Sequence, residues 1–226
     1  MKKVLGFAAA VIVCLVLVEC LTTPGDDRAG ASTTAEAVAV SAEDITVYTP
    51  PANPAFDPDA VAAAEARMWK AYYGGNKQEI GRELIGLFQK QFGIGPMQSA
   101  TVSLAFAEGA MTFQRGDYDG ALPPLRQAYA KIRAASGRNF DPDAAAQAEL
   151  DWWVARRTPG ENSAENVGVL IARLYATLYG ESNAQIERAG QLRAEAARLR
   201  DEDGDWDRIE ELLRDSYRAL VMGVSE

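Results

Sequence analysis

The chain repeats itself. The string FDPDA at 56–60 returns at 140–144, an offset of 84 positions. Glu65 and Trp69 recur as Glu149 and Trp153, and Gly81, Leu87, Phe88, Phe92 and Gly93 as Gly168, Leu174, Tyr175, Tyr179 and Gly180. Ala107 and Glu108 recur as Ala194 and Glu195, and GDYD at 116–119 as GDWD at 204–207. Leu125, Arg126 and Tyr129 recur as Leu213, Arg214 and Tyr217. The offset drifts only from 84 to 88, as small loop insertions would make it. The region is expected to be a tandem duplication, with copies at 56–133 and 140–221. Any function then sits on a duplicated scaffold.

Residue usage narrows the chemistry. The 226 residues carry a formal charge of −9, the wrong sign for a general nucleic-acid binder, so no nucleic-acid partner is expected. Histidine is absent, which removes the commonest general base and the commonest transition-metal ligand. The two cysteines, Cys14 and Cys20, both precede the repeats, so the repeats hold no thiolate nucleophile, disulfide or cysteine zinc site. There is no nucleophile elbow, phosphate loop or dinucleotide fingerprint. No cofactor, no metal and no catalytic residue are expected, and the chain is not read as an enzyme.

The N-terminus reads as an address. Lys2 and Lys3 precede an apolar run at 4–18, and Glu19 ends it. This is a secretory signal or a short membrane anchor over 1–21, with the lysines cytoplasmic and the bulk of the chain exported. Leu17-Val18-Glu19-Cys20 resembles a lipobox, with Glu19 where a small residue stands in that pattern, and makes Cys20 the lipidation candidate. Residues 22–55 read as a disordered linker containing Pro24-Gly25, Pro50-Pro51 and Pro54. The expected location is the cell envelope, membrane-associated through the N-terminal segment.

Each copy reads as four helices. Asp57-Pro58 and Asp141-Pro142 supply a cap and a first-turn proline. Gly74-Gly75 and Pro159-Gly160 stop the first helices, and Gly93 and Gly180 the second. Further helices are expected near 97–114, 118–133, 183–200 and 206–221. Pro123-Pro124 predicts a late start or a bend in the fourth. No strand alternation occurs, so the fold class is all-α, as two tandem four-helix units with short loops.

The stretch 107–128, with Gly109, Gly116-Asp117-Tyr118, Ala121-Leu122, Leu125 and Ala128, resembles the turn and second helix of a tetratricopeptide repeat. The second copy carries Ala197 and Ile209 at the corresponding Gly and Ala positions. The resemblance implies tetratricopeptide-like packing of helical hairpins. The region from 56 onward also resembles an uncharacterised bacterial exported-protein family. The residues that carry this are Glu65, Trp69, Tyr72-Tyr73, Glu149, Trp152-Trp153, Arg156-Arg157 and Asp205-Trp206. This resemblance implies a fold and no mechanism.

Candidate binding residues follow from the echo. Glu65 lies one turn before Trp69, and Glu149 one turn before Trp153. Glu108 matches Glu195, Arg126 shares a helix face with Tyr129, and Arg214 with Tyr217. Trp152 adds an adjacent aromatic. These residues serve packing equally well, as buried Glu paired with Arg or Tyr from a facing helix. Glu65 and Glu149 are therefore expected to be buried and hydrogen-bonded. The run 201–207 does not fit a calcium loop: its glycine is fourth rather than sixth, and Leu212 stands twelfth. It reads as a turn with Asp205 capping the helix at Trp206. Two functions remain. One is binding of a protein or peptide on the concave face of stacked hairpins. The other is binding of a small ligand by the duplicated Glu, Arg and Tyr between the copies.

Overall fold

The computed structural model describes residues 55–202 and 204–225. The leader, Cys20 and nearly all of the linker lie outside the described residues. Within them the chain forms helices α1 Pro58–Tyr73, α2 Lys77–Phe92, α3 Pro96–Gln114, α4 Tyr118–Ser136, α5 Pro142–Arg157, α6 Ala164–Tyr179, α7 Ala184–Asp201 and α8 Trp206–Gly223. No strand occurs among the described residues.

The ends are set by local chemistry. The Asp57 side chain accepts from the amides of Asp59 and Ala60, and Asp141 from that of Asp143, satisfying donors that the first turn leaves free. Asp117 and Asp205 do the same for α4 and α8. Gly93 and Gly180 end α2 and α6 with φ of 67° and 78°, where a side chain would be strained. The proline pair does not delay α4, which starts at Tyr118 and holds Pro123 and Pro124 within it. Both prolines fall in the second turn, so the carbonyls of Asp119 and Gly120 forgo their helical amide partners.

Each helix packs on the one before and the one after, and α8 packs back on α1. The eight helices therefore close into a ring. Two seams join the halves, α4 with α5 and α8 with α1, and matched residues meet crosswise at both. The Tyr129 hydroxyl donates to Glu149 at the first seam, and the Tyr217 hydroxyl donates to Glu65 at the second. Phe140 sits edge-on to Tyr129 with centroids 6.2 Å apart, and Phe56 edge-on to Tyr217 at 6.1 Å. Outside these, Arg126 pairs with Asp143, and Arg218 grips Asp59 with two bonds of 2.8 Å.

One end of the ring is sealed. Phe56, Phe92, Ile132 and Phe140 are all buried. Gln91 donates across the ring to the Tyr179 hydroxyl at 3.2 Å. The Arg138 guanidinium lies over both Phe92 and Tyr179. At the other end, Asp201 takes the Tyr73 hydroxyl at 3.0 Å, Arg200 at 2.8 Å and Arg156, tying the ends of α1, α5 and α7 together. Tyr73 there is 49% exposed.

Candidate functional site

The ring encloses a cavity of about 490 Å³ lined by residues of all eight helices. The amphipathic pattern explains its walls. Apolar stripes turned inward fill most of the interior, but large aromatics on facing helices leave a space that they line rather than fill. Trp69, Phe88, Phe106, Phe113, Trp152 and Trp153 form much of the wall.

Two carboxylates enter this apolar space. Glu65 is 1% exposed and Glu149 8% exposed. Burying a carboxylate is costly unless it is paired or protonated. Glu65 is paired. Arg193 on α7 donates to it through Nη2 at 2.8 Å and Nε at 3.2 Å, and Tyr217 donates at 2.7 Å. Burial alone would lower the Arg193 guanidinium, but Glu65 beside it more than reverses this and holds it well above its usual value. Burial, with the Glu65 charge adding to it, pushes the Tyr217 hydroxyl well up.

Glu149 is served differently. Its Oε2 accepts from the Tyr129 hydroxyl at 2.6 Å and its Oε1 from Trp153 Nε1 at 2.8 Å. No cation bonds to it. Burial raises its carboxyl above the usual 4.5, against the pull of Tyr129, of the Arg193 charge and of the Trp152 and Trp153 indoles. The cause of the contrast is one position. In the register of the echo Arg193 corresponds to Phe106, whose ring stacks on Phe88 and stands edge-on to Tyr129.

Two polar groups at the wall lack partners. The Tyr175 hydroxyl is buried without a hydrogen bond, and so is Trp152 Nε1. Buried polar atoms are nearly always satisfied, so each is a place where a ligand's polar atom can bond. Arg193 also lies over Trp152, 5.4 Å from the ring centroid, and Arg200 over Trp69 at 4.3 Å. Toward the Asp201 end, Arg156 and Arg200 share one aspartate. Burial and the Arg200 charge lower Arg156, while Arg200 and Arg156 hold Asp201 below its usual range against its own burial.

Of the residues singled out from sequence, Glu65, Trp69, Tyr129, Glu149, Trp152, Trp153 and Tyr217 line the cavity. The other four do not. Glu108 is exposed, Arg126 and Arg214 lie on the outer surface, and Glu195 pairs with Arg198 on its own helix at 2.6 Å. The arginine that meets Glu65 is Arg193, so the convergence expected of Arg126 and Arg214 is not found. Tyr175 was quoted only as the counterpart of Phe88. Arg193 had no signal in the echo, because its counterpart is Phe106. The repeated glutamates and tyrosines were the signal available, and the structure places them at the cavity wall. Comparison with protein-family models, with curated proteins and with solved structures finds no match to this chain.

Proposed function

We propose that this protein is a small-ligand-binding module whose site is the central cavity. The single observation that carries this is the closed ring with two buried carboxylates and unpartnered polar groups converging on an aromatic space. Ligand pockets typically have volumes of roughly 300–1,000 Å³ and are mostly apolar with few polar groups. The cavity here has about 490 Å³, and Tyr175 and Trp152 supply unsatisfied groups. Export to the cell envelope through residues 1–21 accompanies this reading and rests on the lysine-flanked apolar run alone.

A protein or peptide partner is the second reading. Its support is a rim rather than a groove: Tyr73 and Tyr118 are exposed at the same end of the ring. One experiment separates the two. The full chain is purified natively, and retained small molecules are released by denaturation and measured by mass spectrometry. A stoichiometric compound, lost when Ala110→Trp fills the cavity, is the expected result. No retained compound, with a polypeptide that co-purifies only while Tyr73 and Tyr118 are intact, would favour the rim. Fractionation with membranes, abolished by deleting residues 2–20, tests the location.

A further inference from the structure

We propose that the cavity's ligand is an organic cation, a primary ammonium or guanidinium on an apolar or aromatic body, held by Glu149. This rests on the small-ligand reading above and specifies its chemistry.

The protein contains its own example of the complex. At the α8–α1 seam a buried glutamate, Glu65, receives a tyrosine hydroxyl from Tyr217 and a guanidinium from Arg193. The same guanidinium lies on the face of Trp152. At the α4–α5 seam Glu149 receives a tyrosine hydroxyl from Tyr129, but Phe106 stands where the arginine would be. The second seat therefore has the carboxylate, the orienting tyrosine and the aromatic wall, and lacks only the cation.

The acceptor capacity fits. A carboxylate offers about four lone-pair sites. Glu149 uses one on each oxygen, for Tyr129 and Trp153, which leaves room for two donors from an ammonium or guanidinium. Aromatic faces attract cations, most strongly when water is excluded. Of the arginines that line the cavity, Arg193 is committed to Glu65, Arg156 and Arg200 share Asp201, and Arg157 lies over Phe113, while the Glu149 seat's own donors are Tyr129 and Trp153. The Tyr175 hydroxyl, buried without a hydrogen bond, is left for a further polar group of the ligand.

The test uses the full chain and three probes of one size, followed by titration calorimetry: 2-phenylethylammonium, uncharged 2-phenylethanol and anionic 3-phenylpropionate. The cation is expected to bind one per chain, at least ~10-fold tighter than either of the others. Glu149→Gln is expected to remove that advantage. Phe106→Arg, which places a guanidinium in the second seat, is expected to abolish cation binding and to raise the melting temperature. Should that variant fail to fold, Glu149→Gln decides alone. Neutral or anionic probe binding as tightly as the cation overturns the proposal and leaves the small-ligand reading standing. Cation binding unchanged in Glu149→Gln overturns it in the same way. No cation binding up to about 10 mM also overturns it. The small-ligand reading itself falls only if the natively purified chain retains no compound that Ala110→Trp displaces.

Discussion

Two glutamates in matched places have different partners: Glu65 meets an arginine and a tyrosine, Glu149 a tyrosine and an indole. Glu65 sits in a buried ion pair, and breaking such a pair from one side leaves the partner charge stranded. Glu65→Ala is therefore expected to lower stability by ~3–5 kcal/mol, measured by urea denaturation. Glu65→Leu with Arg193→Met together should recover most of that loss, because an apolar pair of similar volume is often no worse than the ions. A double variant as unstable as the worse single one would show that the pair's hydrogen bonds, not the stranded charge, dominate. Glu149 makes a pH prediction. Its carboxyl is raised on folding, so the folded chain holds its proton more tightly than the unfolded chain. Unfolding releases a proton in that window, and this group's contribution makes stability fall as pH rises from about 4.5, then level off above the folded value. Glu149→Gln lacks this slope. At low pH it should be less stable than the parent by about 1 kcal/mol, since an amide oxygen cannot serve both Tyr129 and Trp153 without a donor clash. The gap should narrow as pH rises, and melts at several pH values would read it; a constant gap would contradict the raised carboxyl. The carboxylates and tyrosines were legible in the sequence because they occur twice. Arg193 was not, because an echo reports only what both halves keep, and Arg193 stands opposite Phe106 where they diverge.

Helices meet closely where side chains are absent. Gly190 on α7 faces α6, and a methyl group there would stand 2.3 Å from the Gly168 carbonyl oxygen and 2.7 Å from the Ala172 nitrogen. Backbone cannot yield as a flexible side chain does, so Gly190→Ala should push α6 and α7 apart. The expected cost is ~1–3 kcal/mol, read as a lowered melting temperature. Gly86→Ala, whose new methyl would meet only the Lys90 ammonium at 3.2 Å on the surface, should by contrast be close to neutral. An equal loss in both would count against crowding as the cause, since helix propensity favours alanine at either site. At this scale the sequence was informative. Caps at Asp57, Asp141 and Asp205 and stops at Gly93 and Gly180 are local devices, and each bounds its helix where the residue types imply. Pro123-Pro124 did not delay α4, because the Asp117 cap sets the helix start at Tyr118 locally.

The whole molecule is where sequence reasoning ran short. Periodicity tells which face of a helix is buried, but not which distant helix covers it. Stacked hairpins can remain an open arc or close, and the difference lies in whether α8 finds α1. Here it does, through Tyr217 to Glu65, Arg218 to Asp59 and Lys70 to Glu210. An open arc offers a groove, whereas a closed ring offers an interior, and here that interior is the cavity between the helices. Closure has a consequence for chain order. A ring has no first or last member, and the seam that holds the chain ends is built like the seam that a covalent loop already joins. The order of the halves is then a matter of where the peptide begins, not of what packs on what. A circular permutant of residues 56–225, opened at Gly137 with a short flexible linker joining the old ends, is expected to keep the helical spectrum and a cooperative melt. Opening the chain inside α6 should abolish both, and equal behaviour of the two would mean that the seams are not interchangeable.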